Sequence, residues 1–302
     1  MLRFLAGLVG IGFVSALLIA FVMPREKVEP TAASVYHLPE KEVKFSFDGP
    51  FGHYDREQLQ RGFQVYKEVC SACHSMKLVA FRDLEEIGFS KPEVKAIAKQ
   101  WAVEVPSINP DTGEAATRKA IPSDYFPSPY ANETAARAAN NNALPPDMSL
   151  LAKAREGGAH YIYSIVTGYQ AQPADLLKRF PDAKTPTGLH YNPYFANLNI
   201  AMPPPLTANG QVTYADGTPA TVDQMSKDVS AFLVWAAEPN LTARRAAGLA
   251  VSIFLLIATI LGYFAYHKLW DGPKRTVPPT GPLEPENQAK SRRAKAKAGI
   301  AG

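Results

Sequence analysis

Cys70, Cys73 and His74 stand together in the run Cys70-Ser71-Ala72-Cys73-His74, and the chain of 302 residues has only these 2 cysteines. Two thiols three positions apart on a helical turn can each form a thioether to one vinyl edge of a porphyrin. The next residue then projects its imidazole onto the iron from below, so the spacing reads as a c-type haem attachment site. A thioredoxin-like dithiol needs a βαβ setting, whereas the residues before Cys70 read as a helix. A structural zinc site needs a second ligand pair, and His37, His53, His160, His190 and His267 form no ligand-spaced pair. With no other cysteine a disulfide framework is excluded, and cysteine count alone does not identify the compartment.

A low-spin electron carrier needs a second strong ligand, and methionine raises the reduction potential. Of the 6 methionines, Met1 and Met23 belong to a hydrophobic leader and Met76 is too close to His74 to reach the opposite face. Met225 lies on an apolar helical stripe. Met148, in Leu144-Pro145-Pro146-Asp147-Met148, and Met202, in Ile200-Ala201-Met202-Pro203-Pro204-Pro205, remain. Three following prolines hold Met202 in a stiff, extended loop that presents sulfur at small entropic cost, which favours it.

These residues need elements to position them. Asp55 and Gln58 make a capping-box pattern, after which Leu59, Gly62, Phe63, Tyr66, Val69 and Cys70 recur at helical spacing. Gly62 beside Phe63 predicts a close crossing by another helix, since no Cβ blocks the approach. The partner is a second stripe, Val222, Met225, Val229, Phe232, Leu233 and Ala236, opened by a Thr221/Gln224 cap pattern and stopped by Pro239. The 26 prolines predict long irregular loops between few helices.

Two segments are strongly apolar. Residues 246–266 contain no charge and as a helix span roughly 31 Å, the thickness of the hydrocarbon core. Arg244 and Arg245 flank one end, and Tyr263, Tyr266 and Trp270 lie at the other as interfacial aromatics. Residues 4–23 form the other segment. It is longer than a usual signal core and lacks a small-residue cleavage site, which favours an uncleaved anchor over a removed signal. The net charge of +4 is uneven: from Lys268 onward 8 Lys/Arg stand against 3 Asp/Glu. The stretch from Pro24 to His267 is left mildly acidic. The positive-inside rule then puts the tail in the cytoplasm and the middle of the chain on the other side, in a bacterium the periplasm. The basic run has no interleaved aromatics and lies beyond a hydrophobic segment, so nothing suggests nucleic acid.

Longer runs carry a specific resemblance. Arg61-Gly62-Phe63-Gln64-Val65-Tyr66-Lys67-Glu68-Val69-Cys70-Ser71-Ala72-Cys73-His74-Ser75-Met76 is similar to the cytochrome c1 family, the haem c subunits of ubiquinol–cytochrome c reductase. So are Ser123-Asp124-Tyr125-Phe126-Pro127, the stretch from Ala135 to Asp147, Asn192-Pro193-Tyr194-Phe195 and Trp235-Ala236-Ala237-Glu238-Pro239. The resemblance covers about residues 45 to 270, in order. It implies a mainly α fold: a class I-like cytochrome c domain with long irregular loops, a C-terminal transmembrane helix and an N-terminal hydrophobic helix. The expected organisation is an anchor or signal at 1–29, an exported haem domain at 30–243, a transmembrane anchor at 244–270 and a basic tail at 271–302.

The resemblance also implies one haem c, bound through Cys70 and Cys73, with His74 and Met202 on the iron. Arg155 and Tyr161 are then expected at a haem propionate, and Asn140 and the Pro145-Pro146 pair along the haem pocket. Expected partners are a cytochrome b subunit, the Rieske iron–sulfur protein as donor and a cytochrome c as acceptor, in a dimeric membrane complex. The chain is then a redox subunit with no substrate-converting constellation of its own. Asp111, Glu114 and Asp124 are candidate acidic residues for steering a basic cytochrome c. Two departures from the family pattern stand beside the haem: Asn142, where Gly is common, and Ala201-Met202-Pro203, where Gly-Met-Ala is familiar. Asn tolerates a positive φ better than most residues. A haem peroxidase with an open sixth position, or a tethered carrier for another dehydrogenase or oxidase, would share the attachment motif.

Overall fold

The computed structural model describes residues 2–23, 29–276 and 284–297. The 24–28 junction, on which anchor or signal turns, lies outside the described residues, as do 277–283 and 298–302 of the basic tail. The chain divides into two compact units, Met1–Val43 with Arg56–Ala237, and Lys44–Asp55 with Glu238–Gly302.

In the first unit, helix α1 (Leu2–Val22) and the short α2 (Ala32–Tyr36) precede α3 (Arg56–Glu68), which starts directly after Asp55. α3 buries Leu59, Gly62, Phe63, Val65 and Tyr66, the face its periodicity predicts. Next come α4 (Lys91–Gln100), the hairpin β1 (Val105–Ile108) and β2 (Ala115–Arg118), and α5 (Glu133–Ala139). Then follow α6 (Leu151–Ala154), α7 (Ala159–Thr167), α8 (Ala174–Arg179), and the two-residue strands β3 (His190–Tyr191) and β4 (Asn199–Ile200). Helix α9 (Val222–Ala237) closes the unit. Its start is capped by Thr221, whose hydroxyl accepts the Gln224 amide at 3.0 Å.

α3 crosses α9 at Gly62. A Cβ there would strike the Asp228 carbonyl and lie 2.7 Å from the Phe232 Cβ. Glycine brings the two backbones together, as the sequence pattern predicts. The crossing is sealed by an aromatic cluster: Phe63 meets Phe232 at 5.7 Å, Trp101 stacks on Phe126 at 5.0 Å, and Phe81 meets Phe126 edge-on at 4.7 Å. Beside it, Arg61 Nε reaches the fully buried Asp228 at 3.0 Å and Nη1 reaches Asp216 at 2.7 Å. α6 and α7 pack on α9, so the crossing supports the later helices too.

Of the expected steering residues, Asp111 and Glu114 are exposed in the turn of the β1–β2 hairpin. Asp124 is not a free charge. Arg118 holds it through two bonds at 2.6 and 2.8 Å and the Ile121 amide donates to it at 2.8 Å, so its field is largely cancelled.

In the second unit, α10 (Leu241–Thr276) extends beyond both ends of the uncharged run, because intrahelical hydrogen bonding continues through polar residues. Phe4–Val22 and Leu241–Asp271 are both long and apolar enough to cross a bilayer. At the start of α10, Arg244 pairs with Glu238, and Arg245 donates to the carbonyls of Phe47 and Gly52 at 2.5 and 3.1 Å. The Tyr54 hydroxyl donates to the Glu238 carbonyl at 2.9 Å. The flanking arginines therefore tie the 44–55 segment to the helix that follows. A short helix α11 (Pro285–Lys297) lies in the basic tail.

Gly62→Ala is expected to lower the stability of the haem-loaded protein by about 1–3 kcal/mol, since neither backbone can retreat from the new methyl. A thermal melt in detergent checks this; an unchanged midpoint would mean the crossing is looser than the contacts indicate.

Candidate haem c site

α3 delivers the attachment motif. Its last turn passes into a 3-10 turn, Cys70–Ala72, and the Cys70 carbonyl accepts from the Cys73 and His74 amides at 3.1 and 2.9 Å. Both thiols are free and half-buried and lie on this one turn. Burial, and then the neighbouring Cys73, push the Cys70 thiol up to about 12.

His74 is 8% exposed. Its Nδ1–H donates to the Pro146 carbonyl at 2.8 Å, which fixes the ring and leaves Nε2 as the basic nitrogen. Burial holds the imidazole pKa down, outweighing the Pro146 bond, so the ring is kept in the neutral form a metal requires. The Tyr66 hydroxyl, from the aromatic cluster, donates to the His74 carbonyl at 3.3 Å.

The segment behind the histidine is clamped from 72 residues away in sequence. Asp147 Oδ2 accepts from Ser75 Oγ at 2.7 Å and the Lys77 amide at 3.0 Å, and Oδ1 accepts from the Ser149 amide at 2.9 Å. The Met148 amide donates to the Ser75 carbonyl at 2.8 Å, and the Leu78 amide to Ser149 Oγ at 3.0 Å. Pro145 is half-buried at the head of this segment. Met148 thus runs beside the chain that carries His74 and is itself buried. Met76 and Met225 are fully buried in the core.

Met202 is half-buried in the bend after β4. Its carbonyl accepts from the Tyr169 hydroxyl at 3.0 Å, just past the end of α7. The preceding turn hangs on the fully buried Asn192: its Nδ2 donates to the Ile165 carbonyl at 2.8 Å, its Oδ1 accepts from the Tyr194 amide, and its amide donates to the Leu198 carbonyl. Leu198 adopts φ +66°, an outlier for a bulky side chain that only a well-determined surrounding sustains. Tyr169 and Asn192 carry this loop. Neither was marked as a site residue by the sequence reading, because what they hold is main chain.

α7 also carries Tyr161, half-buried, while the exposed Arg155 is the C-cap of α6, with residues 156–158 between it and α7. Arg155 Nη1 donates to the Ala154 carbonyl at 3.1 Å. Asn140 caps α5 and is held locally, its Nδ2 donating to Ala136 and to the Tyr130 hydroxyl. Asn142 takes φ +65°, the left-handed conformation expected where the family pattern has glycine. The structure therefore joins Cys70, Cys73, His74 and the Pro145-Pro146 segment into one bonded group. It ties Met202, through Tyr169, to the helix that bears Tyr161.

The donor set fits haem c: two thiols and a neutral, pre-oriented imidazole on one turn. When Asp147 becomes Asn, the clamp is expected to lose about 1.5–3 kcal/mol at pH 7, the worth of hydrogen bonds to a charged acceptor. Burial pushes the Asp147 carboxyl up, but the bonds from Ser149, Ser75 and Lys77 outweigh it and hold it below the usual carboxylate range. A depressed folded-state pKa makes the contribution complete above the ordinary value of about 3.9 and lost as pH falls through the folded value. Melts from pH 7 downward should therefore show the separation between variant and wild type shrinking as pH falls below the ordinary carboxylate value; a separation that does not change with pH would remove the carboxylate from the clamp.

Comparison with known proteins agrees with this reading. The model of the Cytochrome C1 family matches residues 45–272. Cytochrome c1 of Rhodospirillum rubrum is 48% identical over 231 residues, covering 72% of this chain and 82% of that protein. Cytochrome c1 of Blastochloris viridis is 42% identical over 268 residues, 82% of this chain and 91% of that protein. Cytochrome b/c1 of Bradyrhizobium diazoefficiens is 46% identical over 243 residues, 75% of this chain but 35% of that longer protein. The chain belongs to the cytochrome c1 family and is an electron-transfer subunit carrying haem c.

Proposed function

We propose that this chain receives single electrons from a Rieske iron–sulfur protein and passes them to a cytochrome c, as the haem c subunit of a quinol–cytochrome c reductase. The observation that carries the reading is the His74–Pro146 hydrogen bond. It commits Nδ1 to the protein and leaves Nε2 for iron, beside two thiols at the attachment spacing. When bound, the haem supplies a reversible one-electron couple.

The protein's own residues hold and orient. Cys70 and Cys73 would hold the porphyrin by thioethers, and His74 would give a nitrogen to the iron. Met202 would give the second ligand, as the family resemblance implies, while Met148 is buried and bonded to the Ser75 segment beside His74. Arg155, at the end of α6, and Tyr161, in the first turn of α7, would take a propionate, and Asn140 and Pro145 would line the pocket.

A cytochrome b subunit is the proposed membrane partner, supported by the relative named cytochrome b/c1. A Rieske donor, a cytochrome c acceptor and a dimeric complex follow from family membership. Residues 30–243 form the exported domain, in a bacterium facing the periplasm. Residues 244–270 anchor it, 271–302 lie in the cytoplasm by the excess of Lys and Arg beyond Lys268, and 1–29 supply an anchor or signal.

The tagged chain, gently solubilised from its own membranes, is expected to show b-type bands beside the c-type band, with both reduced by added quinol. A lone c-type haem that quinol leaves oxidised, under several mild detergents, would retire the reductase assignment. Met202→Leu is expected to keep the covalent haem but lower its potential on the order of a hundred millivolts, within the ~0.8 V that axial ligands span. A redox titration checks this, and an unchanged potential would move the sixth ligand to Met148.

A further inference from the structure

Residues 29–43 precede the stretch matched to the family, which begins at residue 45, yet they are bonded into the first unit along their length. Thr31 and Ser34 cap α2 reciprocally. Ala32, Ala33 and Tyr36 pack on the buried cluster of Leu176, Tyr191 and Leu198. The Tyr36 hydroxyl donates to Asp175 at 2.7 Å, and its ring meets Phe180 edge-on at 6.3 Å. Past α2, the Leu38 amide donates to the Pro193 carbonyl at 2.9 Å.

The strand then turns to α7. The Lys41 amide donates to Ser164 Oγ at 2.7 Å. Its ammonium donates to the carbonyl and hydroxyl of Thr167 at 3.0 and 2.8 Å and lies 5.2 Å from the centre of the Tyr194 ring. The His160 ring donates to the Val43 carbonyl at 2.8 Å. Glu40 fills the space where Gly157, at φ +78°, has no Cβ.

These contacts fall on two pieces of chain that matter for Met202. One is the 190–198 turn, including Pro193 and the strained Leu198, which leads through β4 into Met202. The other is α7, whose end supports Met202 through Tyr169. Lys41 touches both, Thr167 on the helix and the Tyr194 ring on the turn. A left-handed leucine persists only if its surroundings over-determine it, and α2 covers that leucine.

We propose that residues 31–43 are a strap that positions the sixth ligand: by clamping the 190–198 turn to α7 they fix the backbone that presents Met202. Leu38 and Lys41 are positioning residues, acting on the ligand loop rather than on the haem. The proposal rests on Met202 being the ligand.

The test uses the full-length haem-loaded chain in detergent, reduced and titrated with carbon monoxide, which binds where the sixth position opens. Apparent affinity scales with the open fraction. Losing the Lys41 ammonium bonds in Lys41→Met is expected to raise carbon monoxide affinity about fivefold to tenfold, given the net worth of such hydrogen bonds. The reduction potential should fall in parallel. Leu38→Pro, which removes the donor to Pro193, is expected to act in the same direction. Amide exchange should quicken in 190–202 and stay unchanged in α3 and α9, which separates loosened positioning from general destabilisation. Met202→Leu is the reference. If it opens the site while Lys41→Met and Leu38→Pro keep wild-type affinity, potential and exchange, the strap is overturned and the ligand stands. If Met202→Leu itself leaves affinity and potential unchanged, the ligand reading falls and the strap's role with it.

Discussion

The crossing of α3 over α9 at Gly62 is the constraint on which the rest depends. Close backbone approach leaves little room for error, and the structure adds a second lock beside it. Arg61, on the haem-bearing helix, holds Asp228 on α9 and Asp216 in the loop before it. A buried ion pair adds little net stability over a packed apolar pair, but losing one partner strands a charge and is strongly destabilising. Such a pair therefore punishes any other register of the two helices more than it rewards the right one. Because Cys70 follows α3 by two residues, the register of the crossing sets where the thiols and His74 stand.

From that fixed point His74 and Met202, the two ligands proposed above, are held in different ways. His74 is bound into the core: its carbonyl receives Tyr66, its Nδ1 donates to Pro146, and Asp147 pins the strand that follows. Met202 sits on a loop with two-residue strands and must be steadied from outside by Tyr169 and Asn192. Prolines reduce what the steadying contacts have to do, since fixing φ lowers the entropy the loop loses on ordering. Pro203, Pro204 and Pro205 follow Met202, and Pro145 and Pro146 run behind His74.

Much of this was legible in the residues. The attachment motif, the Gly62 crossing, the Thr221 cap and the middle of the α9 stripe (Met225, Val229, Phe232 and Leu233) follow from patterns within one turn or one helix, where neighbours in sequence are neighbours in space, whereas the burial of Ser226, Asp228, Ser230 and Trp235 on the same helix does not. Asn142 was legible as well, as a residue able to adopt the positive φ it shows. The parts that were not legible share a cause. Pro146 acts through a carbonyl, which every residue has. Asp147 and Asn192 grip main-chain groups, in part on segments distant in sequence, and Leu198 takes a conformation its side chain argues against. Asp124 looked like a surface charge until Arg118 was found beside it. Long-range pairing with main-chain atoms leaves no periodicity and no spacing to read.

The difference in how His74 and Met202 are held suits the roles proposed for them in an electron carrier. Changing the oxidation state must not rearrange the site, so both backbones need to stay in place, and axial-ligand identity is one of the levers that set the potential. The hydrogen bonds that hold His74 are separate from those that hold the Met202 loop. A departure such as Pro203 after the methionine falls on the loop that can absorb it. An equivalent change at Pro146 or Asp147 would fall on the clamp that holds the histidine.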